Sequence, residues 1–273
     1  MMRRLTRDRW ALASLCVVGV YAAVVLATLL GLLPDRSDQS VGPVYASPSL
    51  RFWLGTDFLG RDVLAKVLNG ARIAFSVGLT ASLIAIPIGA VLGAAAGFFG
   101  GRLDDAVVWL YSTFSSVPQI LLLTSLSFIM GRGLTAIYAA VGLTSWVGIC
   151  RIVRAEVLKL KSSDYVTAAR ALGAGKARLL FRHILPNTTH LVIVDFSLRF
   201  VYAIKSEAIL SYLGLGVQGQ ASWGIMISDA KDELIRGIWW QLAGATGAMF
   251  LLVLAFNLLS DALRDALDPR AAE

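Results

Sequence analysis

Residues 73–101 read IAFSVGLTASLIAIPIGAVLGAAAGFFGG, 29 positions without a charged side chain. An α-helix rises about 1.5 Å per residue, so the run exceeds the ~20 residues that cross a hydrocarbon core about 30 Å thick. In that medium each backbone group must be satisfied within the segment, which makes the run a helix. Small residues recur every four positions, at Ala81, Ala85, Gly89, Gly93, Gly97 and Gly101. That step keeps them near one helix face, where a second backbone can come close. Two readings stay open: packing within the chain, or a sliding surface beside a substrate path.

Similar runs lie on both sides. Ala11–Leu33, Ala106–Gly131, Gly133–Cys150 and 238–260 carry no charge, and 191–213 is apolar apart from Asp195, Arg199, Lys205 and Glu207. Six spans are expected, in an all-α membrane protein. Composition agrees: 57% of the 273 residues are hydrophobic and 16% charged, with mean hydropathy +0.70. An average soluble protein has about 25% charged residues. Disorder, a disulfide scaffold and an ordinary cytosolic enzyme are excluded. The first run follows Arg3, Arg4, Arg7 and Arg9, but its 23 residues are too many for a signal-peptide core. It reads as an uncleaved anchor. Pro87 and Pro118 each remove a backbone donor and allow a kink.

The net charge of +7 records topology rather than nucleic-acid binding. With the N-terminus inside, 15 of the 25 Lys and Arg fall in inner segments and 8 in outer ones. The bias places both termini in the cytoplasm. Segment 151–190 is the strongest marker, with eight basic residues against Glu156 and Asp164.

Catalytic and metal chemistry is not visible. The two histidines, His183 and His190, lie in that inner segment, so no intramembrane His can activate a serine. Cys16 and Cys150 have no metal-ligand spacing and read as small buried hydrophobes. Gly173-Ala174-Gly175-Lys176 fails as a phosphate loop, because Arg170 stands where the first Gly belongs and Ala177 replaces the Ser or Thr. In the fifth run, Asp195 and Arg199 can pair at i, i+4, whereas Lys205 and Glu207 cannot pair with each other. These ions either contact neighbouring helices or line a path, so Arg199, Lys205 and Glu207 are candidates for a translocation path.

Segment 151–190 predicts two short helices. Asp164 caps the first, Ala168, Ala169 and Leu172 form its apolar face, and Gly173 ends it. The second runs over 176–184 with Leu180 and Ile184 on one side, and Pro186 stops it. A helix–Gly–helix hairpin of this kind suits a groove on a soluble partner.

The hairpin resembles the EAA loop of ABC importer permeases, whose pattern is Glu-Ala-Ala, three residues, Gly, nine residues, Ile, any residue, Leu-Pro. Ala168, Ala169, Gly173, Leu185 and Pro186 match, while Thr167 replaces the Glu and His183 the Ile. Phe181-Arg182-His183-Ile184-Leu185-Pro186-Asn187 is similar to the dipeptide/oligopeptide/nickel subfamily, in particular its second membrane subunit. Further matches are Gly55-Thr56-Asp57 with Gly60-Arg61-Asp62, Gly70-Ala71-Arg72, Leu213-Gly214-Leu215-Gly216, Ser222-Trp223-Gly224, and the end around Asn257 and Leu263–Arg270.

The resemblance implies a type I ABC importer permease fold in a bacterial or archaeal plasma (inner) membrane. Residues 1–72 would be an anchor helix with an external loop, and 73–273 a five-helix core with the coupling loop 151–190. Asp164, Thr167, Ala168, Ala169, Gly173, Arg182, His183, Leu185 and Pro186 would couple to the ATPase. The implied partners are a homologous permease, two cytoplasmic ATPase subunits, an extracytoplasmic binding protein and the lipid bilayer. No cofactor is expected in this chain, because ATP and Mg belong to the ATPases. On the outer side, Leu64, Leu68 and Ile73 mark an amphipathic helix with Arg61, Lys66 and Arg72 as polar anchors. A second, over 225–236, turns Asp229, Asp232 and Glu233 to water. An ion-coupled secondary transporter and a static scaffold are the other readings; the first would want inverted repeats, and none is evident.

Overall fold

A computed structural model describes residues 8–32 and 36–267. Arg3, Arg4, Arg7, Asp35 and the 268–270 part of the C-terminal signature lie outside the described residues. Helices form all the regular structure within them, apart from two isolated bridges, Ser40 with Arg61 and Thr56 with Asp62. Helix α1 (Arg9–Leu29) is followed by an external loop, then α2 (Val63–Phe99), α3 (Gly101–Ser116), α4 (Gln119–Ile129) and α5 (Leu134–Lys161). The hairpin contains α6 (Asp164–Ala171), a single turn α7 (Lys176–Arg178) and a π-helical turn Leu179–Ile184. Helices α8 (Leu185–Tyr212), α9 (Trp223–Ile235) and α10 (Trp240–Leu267) complete the chain.

Among the described residues four helices are each long and apolar enough to cross a bilayer: α1, α2, α5 and α10. The run expected as one span at 106–131 is instead two helices, α3 and α4, bent by 90°. Pro118 lies at the bend and is not helical (φ −54°, ψ 126°), and Val117 before it is extended, as a residue preceding proline prefers. Pro87, by contrast, sits inside α2 without ending it. Helix α8 has 28 residues, long enough to span, and carries the four charges of the fifth run.

Helix α2 is the centre of the fold. At 37 residues it is about 55 Å long, longer than the hydrocarbon core, so its first turns stand outside the spanning part. It begins at Val63 and passes residues 72 and 73 without a break. Its small-residue stripe lies against α5: a Cβ on Gly89 would strike Ile149 and the Trp146 carbonyl, and one on Gly93 the Cys150 carbonyl. Packing within the chain is therefore the role of the stripe here. On the other side, Phe75, Phe200 and Phe256 join α2, α8 and α10, with ring centroids 5.3 Å apart for Phe75–Phe200 and 4.2 Å for Phe200–Phe256. Helix α1 leans on α10 through the Tyr21 hydroxyl, which donates to the Ala248 carbonyl at 2.8 Å. Its outer face, with Leu15, Val20 and Leu26 exposed, suits lipid. Cys150 is buried as expected, whereas Cys16 is exposed on that face.

Candidate functional site

Local chemistry explains the hairpin. Ser163, not Asp164, is the N-cap of α6, and its hydroxyl donates back to the Leu160 carbonyl at 2.6 Å. Asp164 sits in the first turn, where a negative charge complements the helix dipole. Gly173 ends α6 in the left-handed region (φ 86°). Its N–H donates to Arg170 O and the Ala174 N–H to Ala169 O, each at 3.0 Å, which is a Schellman termination. The expected apolar face is corrected. Val166 is 0% exposed and Ala169 packs beside it, whereas Ala168 is exposed and Leu172 is 89% exposed. Helical spacing alone does not say which side meets the protein.

Pro186 does not stop a helix; it occupies the first turn of α8, where a missing N–H costs nothing. The chain widens into the π turn just before it, with the Leu185 N–H donating five residues back to Leu180 O. Leu179, Leu180 and Ile184 are buried there, so the side expected to carry Leu180 and Ile184 faces this chain. The side chain of Asn187 clamps the corner. Its amide donates to the His183 carbonyl at 2.7 Å and to the Tyr165 hydroxyl at 3.2 Å, and so ties α6 to the start of α8.

The hairpin is fastened to the ends of α2 and α5. Val166, Leu179, Leu180 and Ile184 pack with Phe98, Val153 and Val157 in one cluster. Burying a valine side chain contributes about 1.5 kcal/mol or more. Nearby, Arg154 on α5 forms a two-pronged ion pair with Asp104 on α3, with Nη2 2.6 Å from Oδ2. Facing outward are Leu172 and Phe181, with Thr167, Arg170, Lys176, Arg178 and Arg182 exposed around them. The result is a basic hairpin on which Leu172 and Phe181 are the most exposed large apolar side chains. Phe181 and Asn187 stood inside the quoted motif, but nothing local marked one as exposed and the other as a clamp.

The charges of α8 separate. Arg199 pairs with Asp195 at 3.0 Å, the expected i, i+4 contact, and its Nη1 donates to the Ser145 carbonyl of α5 at 2.8 Å. Gly148 leaves the space the guanidinium occupies. Lys205 is exposed, whereas Glu207 is buried and accepts from the Ser211 hydroxyl at 2.6 Å.

The external motif is a folding device. Gly55 and Gly60 have φ of 70° and 72°, and at each a side chain would strike a backbone carbonyl, of Ala46 and Gly42 respectively. Thr56 donates to Pro43 O at 2.6 Å, and its own carbonyl accepts from the Trp240 indole at 2.9 Å. Asp62 caps α2 through the Leu64 N–H. Asp57 is fully buried and accepts from Arg61 Nε at 2.7 Å and Lys66 Nζ at 2.9 Å. Lys66, expected as a polar anchor of an amphipathic helix, is 1% exposed and also donates to Gln241 of α10 at 2.6 Å. Burial drives the Asp57 carboxyl up, but Lys66 and the Arg61 and Leu59 amides outweigh it and hold it below the usual carboxylate range. Two quoted motifs meet here, since Gly70 makes room for the Trp223 ring, whose indole donates to Val67 O at 3.0 Å.

One expectation for α9 fails. Glu233 does not face water but is 1% exposed. Neither carboxylate oxygen has a donor in full hydrogen-bond geometry, and burial pushes its pKa up to about 7. Periodicity placed it on the polar side, but the external loop folds over that side. Among the described residues no group of His, Cys, Asp or Glu could hold a metal ion.

Residues 85–273 match the family described as binding-protein-dependent transport system inner membrane component. Relatives include a dipeptide transport system permease protein of Bacillus subtilis, 39% identical over 98% of this chain and 84% of the relative. An oligopeptide transport system permease protein of the same organism is 37% identical over 98% and 88%. A glutathione transport system permease protein of Pectobacterium atrosepticum is 39% identical over 82% and 74%. Among solved structures, an amino acid ABC transporter is similar in fold, with TM-score 0.56, 17% identity and coverage of 75% of this chain and 95% of that one. With the apolar helices, the family match over 85–273 and the relatives at 37–39% identity, the chain is a multi-pass, non-enzymatic permease subunit of an ABC importer, a member of the binding-protein-dependent transport system inner membrane component family.

Proposed function

We propose that the chain forms half of a translocation path for di- and oligopeptides, paired with a homologous permease and driven by two cytoplasmic ATPase subunits that bind ATP and Mg. An extracytoplasmic binding protein delivers the peptide. The dipeptide, oligopeptide and glutathione that the relatives are named for support peptide as cargo. The observation that carries the coupling is the hairpin: Leu172 and Phe181 stand uncovered among basic residues while Val166 and Ile184 fasten the same element to α2 and α5. A push on the tip is thereby passed to the helix stack. Asp164, Thr167, Ala168, Ala169, Gly173, Arg182, His183, Leu185 and Pro186 belong to this element; Gly173 and Pro186 shape it and Thr167, Ala168 and Arg182 lie on its outer surface.

In this reading the bent pair α3–α4 and α8 are the third and fifth of six spans and both termini are cytoplasmic, as the Lys and Arg distribution favours. Residues 1–72 supply the anchor and external loop, and 73–273 the transport core. Lys205, exposed on α8, is the best path candidate; Arg199 on the same helix is a cation held by Asp195 and the Ser145 carbonyl, and Glu207 fits a packing role better. The external motif holds the outer ends of α2 and α10 together beneath the binding protein. The test is uptake in proteoliposomes containing the whole importer. Peptide accumulates only with ATP and the binding protein present; accumulation on an ion gradient without ATP would overturn the proposal.

A further inference from the structure

A groove of about 500 Å³ opens between α5, α8 and α10, at the end of the bundle where the basic hairpin lies. Its walls are aliphatic: Ile152, Leu191, Val194, Leu198 and Leu267. Its rim is charged, and the charges do not cancel equally. Glu156 is neutralised by Lys159 at 3.0 Å and Asp195 by Arg199 at 3.0 Å. Arg264 makes no ion pair among the described residues, and His190 stands beside the same opening. Among the described residues the groove thus offers one guanidinium without an ion pair, above an apolar slot. That is the complement of a phosphate on an acyl chain, at the depth where spanning helices leave the hydrocarbon.

We propose that this groove holds one anionic phospholipid, its phosphate on Arg264 and an acyl chain along Leu191, Val194 and Leu198. A zwitterionic lipid would bring its own cation to a rim whose carboxylates are already paired, so phosphatidylglycerol is preferred over phosphatidylcholine. The placement in the inner leaflet rests on the topology proposed above, but binding itself does not depend on which side the groove faces.

The test is native mass spectrometry of the purified importer titrated with phosphatidylglycerol, phosphatidylcholine or inorganic phosphate. Arg264→Gln is compared with Arg102→Gln, an exposed basic residue at the same end. A charge-assisted bond to phosphate implies about a tenfold weaker phosphatidylglycerol adduct in Arg264→Gln and no change in Arg102→Gln. Leu191→Trp, which fills the slot and leaves the charge in place, lowers the adduct as well. Equal retention of the two lipids, or an unchanged adduct in Arg264→Gln, overturns the proposal. Displacement by phosphate at matching concentration makes the ligand a free anion, and displacement by a dipeptide makes the groove a cargo site; each also overturns it. A reporter fused after residue 267 tests the topology separately, so the two failures are distinguishable.

Discussion

Replacing Lys66 with methionine removes a cation from the most enclosed charge cluster of the external loop. Its ammonium lies 2.9 Å from Asp57 Oδ2 and 2.6 Å from Gln241 Oε1, and it links α2, the loop and α10. Breaking a buried ion pair costs about 3–5 kcal/mol, because the partner stays behind uncompensated. Asp57 keeps Arg61 Nε at 2.7 Å and the Leu59 and Arg61 amides at 2.9 Å. Those three donors put the expected cost at the low end, ~3 kcal/mol. Adding Asp57→Asn removes the stranded charge, so the double variant is less destabilised than the two single changes added together. Thermal unfolding of purified protein, read by tryptophan fluorescence, measures this, since the Trp240 indole bonds to the Thr56 carbonyl next to the cluster. The wild type also loses stability as pH falls through the lowered Asp57 value, and the double variant lacks that part of the loss. An unchanged midpoint in Lys66→Met, or strict additivity, would refute the reasoning.

Glu233→Gln tests the opposite sign of linkage. With a folded value of about 7 against an ordinary 4.5, the wild type loses up to ~3 kcal/mol as pH rises through that window, and the variant lacks that loss and is more stable at pH 8. Gly93→Leu drives a side chain into the Cys150 carbonyl and separates α2 from α5, so the folded yield collapses, while Gly247→Leu, at a position with open space, keeps it. Lys205→Leu leaves the unfolding midpoint unchanged and lowers ATP-driven peptide uptake. Arg199→Leu strands the buried Asp195 and lowers the midpoint by an amount corresponding to ~3 kcal/mol.

Much of the fold is legible before any coordinates, because an uncharged run of 20 residues has few alternatives. The helix–Gly–helix hairpin is legible too, since Gly173 and the basic run mark its turn and its side. Elsewhere the same residues admit opposite outcomes. Proline ends one helix at Pro118 and begins another at Pro186, and only the extended or π-helical chain before each distinguishes them. Lys66 and Glu233 sit at positions that periodicity turns to water, yet a loop folded by Gly55 and Gly60 covers them. Gln241 lies 175 residues from the lysine it receives, a distance no local pattern spans. Leu172 has the spacing of a core residue and stands in the open, because helical spacing does not say which side of a helix the fold covers.

The most direct measurement is co-purification of the ATPase with tip and base variants of the hairpin. Leu172→Asp changes a side chain that is 89% exposed, and Val166→Asp one that is 0% exposed on the same helix. The account predicts that Leu172→Asp folds with a wild-type unfolding midpoint, loses the ATPase and no longer transports, whereas Val166→Asp lowers the midpoint itself. A Leu172→Asp importer, with Phe181→Asp added, that still retains its ATPase and carries peptide at the wild-type rate would contradict it.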